Sequence, residues 1–257
     1  MLATAVAALA AFITVSSVRD TLARRARFQA RAARDTVLTP DDIAHGIVRK
    51  ALALDGVHQA VDPLELRRRV LNLEDGTYLA EILAEQDSTL YRWPERLTNA
   101  LRVYVEPTTP LAAWSPQYPQ LARDVFSEWS EAGFPLRFAF IFDSTSADIT
   151  IRWIDRFPVG DGQRIGVTER LQGSDYLITH AQVDVALHDS AGRTLAPTVI
   201  GGIIRHEVGH ALGLNHSTDP ASVMFSEAAT SVIGESDRAT LRAMYLVPPG
   251  TLKVAER

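Results

Sequence analysis

The sequence predicts an α+β (α/β-like) chain: a twisted, mixed, mainly parallel sheet with three helices, preceded by a small helical extension. Two observations carry that expectation. From about Leu90 onward, strand-like and helical spacings of apolar residues follow one another in the order β-α-β-β-β-β-α-α, which suits a sheet with helices packed on it rather than a bundle or a sandwich. Before residue 88, residues 19–35 and two or three stretches within 40–86 have helical spacing. A chain of 257 residues accommodates one domain of about 160 residues plus an extension. The expected divisions are 1–18, an apolar segment; 19–87, a helical extension serving as propeptide or spacer; and 88–257, the main domain.

Taken in order, residues 1–18 read MLATAVAALAAFITVSSV and carry no charge, as a signal-peptide core or a membrane anchor would. No basic residue precedes the run and no small-x-small cleavage site follows it. The six arginines between Arg19 and Arg34, with Asp20 the sole acid among them, favour retention on the cytosolic side. An upstream basic stretch missing from the assigned start would reconcile these features with export. Residues 19–35 form a basic helical pattern able to lie on anionic lipid, so membrane association through residues 1–34 is one expectation and a solvated helix the other. Residues 40–86 hold two or three helical stretches punctuated by Asp55-Gly56 and Asp75-Gly76. His45 and His58 fall there and read as surface or capping residues.

The main domain opens with LRVYVEP, an alternating strand. SPQYPQLARDVFSEWSEAG follows with helical spacing and puts Ala122, Val125, Phe126 and Trp129 on one stripe, the signature of a core-facing side. LRFAFIF and ADITIRWI read as strands. A loop with Gly160 and Gly162 leads to RIGVTER and then to ITHAQVDVAL, another alternating strand. The proline-free apolar run TVIGGIIRHEVGHALGL suits a largely buried helix.

Residues 206–216, HEVGHALGLNH, are the most specific feature. On a helix, residues four apart share a face, so His206 and His210 project side by side and can give two imidazole nitrogens to one Zn²⁺. Gly213 tolerates the left-handed conformation of a helix end, and a sharp turn there returns His216 to the same ion. Three neutral imidazoles leave a fourth position open, the mark of a catalytic zinc. Glu207, one residue on, can reach a water on that metal, take its proton and pass it to a leaving amine. Net charge is −5 and cysteine is absent. There is accordingly no electrostatic reason to expect a nucleic-acid partner, no disulfide and no thiol nucleophile, and no serine sits in a G-x-S-x-G elbow.

The pattern HExxHxxGxxH followed by a methionine resembles the metzincin zinc peptidases. Ser217 after the third histidine and the run HSTDPASVMF resemble their matrixin (matrix metalloproteinase-like) branch in its bacterial form. The resemblance extends over roughly residues 90–246 and implies a metzincin catalytic domain. It implies that Met224 makes a supporting turn beneath the metal, that SDRATLRAMY with Asp237 near its start is the last helix, and that residues around 164–169 form a sheet edge pairing with extended substrate backbone. It also implies that residues 225–235 shape the specificity pocket. Ser226 stands where astacin-like relatives carry a tyrosine ligand, so no tyrosine switch is expected.

The chain departs from animal matrixins in lacking the propeptide cysteine that blocks their zinc. Gln182 occupies the position of a structural-zinc histidine, and His180 and His188 are poorly spaced for one. A second zinc is not expected, and calcium is left open with no residue set in its favour. The expected activity is a zinc metalloendopeptidase acting on polypeptide in extended conformation by Glu-assisted attack of a zinc-bound water, in an extracellular or cell-envelope location. The alternative is a zinc-stabilised peptide-binding module without catalysis, membrane-associated through its N-terminal region. The intact Glu207 favours the enzyme.

Overall fold

The computed structural model describes residues 76–95, 99–158, 164–227 and 230–251. The apolar segment, the basic stretch, His45, His58 and the glycine loop at 160–162 lie outside them. The described elements are α1 (Leu79–Glu85), β1 (Thr89–Leu90), β2 (Leu101–Val105), α2 (Tyr118–Ser130), β3 (Phe138–Phe140), a 3₁₀ turn (Ser144–Ser146), β4 (Ile149–Ile154), β5 (Gly166–Gln172), β6 (Ile178–Ala186), α3 (Pro197–Leu212), α4 (Glu235–Leu246) and β7 (Gly250–Thr251).

Five strands form one sheet in the order β3-β2-β4-β6-β5. The pairs β2–β3, β2–β4 and β4–β6 are parallel, and β5 is antiparallel to β6 at the edge. The sheet is therefore mixed and mainly parallel, as its sequence order predicts. Alternation decides which side chains enter the core. Leu101, Val103 and Val105 of β2 are buried with intermediate residues between them, and Ile149, Ile151 and Trp153 of β4 are likewise buried. α2 buries the predicted stripe of Ala122, Val125, Phe126 and Trp129.

α3 packs against α2 and against β5 and β6. Two indole N–H groups fix it. Trp129 donates to the Arg205 carbonyl at 3.1 Å and Trp93 to the Ala211 carbonyl at 2.8 Å. Arg205 also holds Glu128 of α2 through two nitrogen–oxygen contacts, a fork that sets the rotation of α3 on its neighbour.

The stretch from Tyr78 to Leu90 shares this core. Tyr78, Leu79, Ile82 and Leu90 are buried in the same cluster as the sheet and α3, and the Tyr78 amide donates to Thr240 of α4 at 3.0 Å. β1 pairs antiparallel with β7, Thr89 against Thr251, so the strand after α1 meets the last described residues.

Candidate metal centre

The site forms where α3 ends. The apolar run 200–212 makes this helix mostly buried, with Ile200, Ile203, Ile204, Val208, Ala211 and Leu212 in the core. Histidines 206 and 210 occupy the side that the core leaves free. The helix stops at Gly213, whose φ of 116° lies in the left-handed region, where a Cβ would be strained. Its amide donates back to His210 and that of Leu214 to Gly209, and the reversal carries Asn215 and His216 back over the helix end.

Two of the candidate ligand rings are oriented by backbone carbonyls. His206 Nδ1 lies 2.7 Å from the Val223 oxygen, and His210 Nδ1 lies 2.9 Å from the Leu214 oxygen. A carbonyl can only accept, so each Nδ1 carries the proton and each Nε2 keeps its lone pair. Those two Nε2 atoms face each other at 3.1 Å. Two nitrogens on a tetrahedral zinc, at ~2.05 Å each, stand roughly 3.3 Å apart. The nitrogens that His206, His210 and His216 could offer a metal all lie within 4.8 Å of one another, so the three imidazoles converge on one point, and small side-chain adjustments would bring them to zinc distances. Burial holds the pKa of His206 below the usual histidine value and that of His210 well below it, which keeps both neutral and available to a metal.

Met224 is fully buried and lies under the helix. A Cβ at Gly209 would come within 2.3 Å of its sulfur, so only glycine allows this approach. Ser217 donates its amide to the Met224 carbonyl at 3.0 Å, closing the turn. Asp237, fully buried near the start of α4, accepts from the amides of Val223 at 3.1 Å and Gly234 at 2.8 Å, from the Tyr78 hydroxyl at 3.2 Å, and from the Ser222 hydroxyl.

Glu207 is only 6% exposed. Burial raises its pKa to about 7, and a hydrogen bond from Thr168 opposes the rise. The Thr168 hydroxyl lies 2.6 Å from Glu207 Oε2 and 2.9 Å from its backbone oxygen. Thr168 belongs to the edge strand β5, which runs alongside a cleft of about 1080 Å³. The cleft is lined by Arg164 to Thr168 and Arg170 on and before β5, by Ile203, His206, Glu207 and His210 of α3, by Asn215, His216, Ser226 and Glu227 of the following loops, and by Glu85 of α1.

All four residues singled out at 206–216 therefore meet at one cleft, with Met224 beneath the helix. His180 and His188 do not join them. His180 stands opposite Leu171 on β6, and His188 lies 2.9 Å from Asp155. Gln182 points its amide toward Asp184 at 3.3 Å. Thr168, Arg170, Asn215 and Glu85 were not singled out from the sequence. The alternation of β5 does put residues 166, 168 and 170 on one face, a signal that could have placed Thr168 and Arg170 beside α3.

A family model described as Matrixin matches residues 93–246. Matrix metallopeptidase-21 of Danio rerio is 30% identical over 138 residues, 50% of this chain, and the chain spans 22% of that relative's length. A solved structure titled "GM1 bound form of the ECX AB5 holotoxin" aligns with a TM-score of 0.44 and 14% identity, over 66% of this chain and 88% of that one.

Proposed function

The chain belongs to the matrixin family, and from that premise we propose that it is a zinc-dependent metalloendopeptidase. The observation that carries this reading is the meeting of three histidine nitrogens and a buried carboxyl in one cleft beside the edge strand β5.

His206, His210 and His216 would hold the ion. A zinc ion bound by three imidazoles acidifies a water and polarises a carbonyl oxygen. The chain's own residues do the rest. Glu207 is the general base that accepts the proton of the attacking water and then donates it to the departing amine nitrogen. Its place in the cleft lining, one residue from His206, suits that role. Thr168 fixes the rotamer of Glu207 by donating to Oε2. β5 stands at the edge of the sheet as described, where an extended polypeptide could add its main chain as a further strand. The pinned Nδ1 atoms of His206 and His210 keep the metal-facing nitrogens in place before substrate arrives.

The same reading locates the protein outside the cytoplasm or in the cell envelope. Among the described residues no helix is long and apolar enough to cross a membrane. Mass spectrometry of the mature N-terminus tests whether residues 1–18 are removed, as in a secreted form, or kept, as in an anchored one.

The activity is tested with casein or a quenched peptide. Cleavage by the wild type should vanish with a chelator and return with added Zn²⁺. Glu207→Ala should bind zinc and melt like the wild type yet cut nothing measurable. Full proteolysis by Glu207→Ala would overturn the assignment.

A further inference from the structure

The third ligand differs from the other two. His206 and His210 sit on a helix with their Nδ1 atoms bound to carbonyls, whereas His216 is exposed, lies on a loop, and has no such ring hydrogen bond among the described residues. Something else must hold it, since a ligand free to swing weakens the metal site.

The residues flanking His216 are gripped from outside the loop. On one side, the Asn215 side chain has three partners. Its amide nitrogen donates to Glu85 Oε2 at 2.8 Å, and its oxygen accepts from Gln86 Nε2 at 3.0 Å and from Arg170 Nη2 at 2.9 Å. These partners fix which end of the amide is oxygen. On the other side, the Thr218 amide donates to Glu81 Oε2 at 2.8 Å. Arg170 also donates to the His210 carbonyl at 3.2 Å, so one guanidinium ties the end of α3 to the loop. Glu81, Glu85 and Gln86 all come from α1 and its C-terminal end.

We propose that α1 is part of the metal centre, with Glu81, Glu85 and Gln86 as positioning residues that hold His216 through Asn215 and Thr218. The inference rests on the three-histidine zinc site proposed above. It adds that the segment before the family-matched region, which begins at residue 93, helps determine how tightly that site binds metal.

The test is a Zn²⁺ competition titration against a chromophoric chelator on the full chain, with melting of the metal-free protein measured in parallel. Glu85 is exposed and Glu81 half-buried, so the double variant Glu81→Ala/Glu85→Ala leaves the core untouched; Asn215→Ala attacks the same link from the other end. Both should weaken zinc binding by about 10–100-fold, the usual effect of removing an outer partner of a ligand, while the metal-free double variant melts like the wild type. Glu85→Gln keeps an oxygen for Asn215 and should restore most of the affinity. Wild-type zinc affinity in both the double variant and Asn215→Ala overturns the proposal, as does lowered melting with unchanged zinc affinity. If the wild type binds no more zinc than His206→Ala, the metal-centre reading itself falls and this inference with it.

Discussion

At Glu207 the effect of burial can be isolated by removing the metal. In the metal-free chain its pKa stands at about 7 against an ordinary value of 4.5, with burial the chief cause. The folded state then holds that proton more tightly than the unfolded state. Stability from this group is fully present below about pH 4.5 and is lost as pH rises toward 7, by about 3 kcal/mol in all. His206 and His210 act oppositely. Their lowered values mean the unfolded chain binds more protons below about pH 6.5, so their contribution weakens on acidification. Glu207→Gln removes the first effect and leaves the second. With chelator present, its stability advantage over the wild type should therefore grow between about pH 4.5 and 7, and urea denaturation across that range measures it. A constant difference would mean that Glu207 is solvated. Thr168→Val tests the partner. It deletes the hydroxyl at nearly constant volume, and loss of a hydrogen bond to a charged group of about 1.5–3 kcal/mol should lower kcat by roughly 10–100-fold with zinc affinity unchanged.

At the scale of elements, α4 reaches the candidate metal ligands through a relay. Asp237 accepts from the Val223 amide, and the Val223 carbonyl accepts from His206 Nδ1. The same carboxylate caps α4 by accepting from Gly234, and it satisfies the Tyr78 and Ser222 hydroxyls. Asp237→Ala would strand several buried donors at once. It should destabilise the metal-free chain by about 3–5 kcal/mol and weaken zinc binding, both readable from denaturation and titration of one preparation. The relay also bears on what a sequence discloses. The stripe on α2 and the four-residue spacing of His206 and His210 are periodic, and periodicity is local, so both could be placed before any coordinates. Gly213 marked the turn because few residues other than glycine adopt its φ. The pairing of β1 with β7 involves two residues on each side, too short for any alternation to register. The grip of Glu85 on Asn215 joins residues 130 positions apart, and nothing local to either residue reports it.

At the scale of the whole molecule, the candidate ligands draw together several parts of the fold that already share one core. α3 supplies two histidines, the loop after Gly213 supplies the third, and through Val223, Asn215 and Thr218 the site reaches the methionine turn, α4, β5 and α1. The chain has no cysteine, so no disulfide ties these parts together. An ion that binds only when all are in place stabilises the native state by mass action. At free zinc about 100 times its dissociation constant the gain is about 2.7 kcal/mol. For a domain of this size that corresponds to a rise in melting temperature of roughly 5–10 °C. Calorimetry of the full chain with chelator and with buffered Zn²⁺ should show this increase in the wild type. His206→Ala should show none, and Asn215→Ala should recover it only at about 10–100-fold higher zinc. Equal melting of the wild type with and without zinc would mean that the three histidines meet without binding the metal to the native state in preference to the unfolded one.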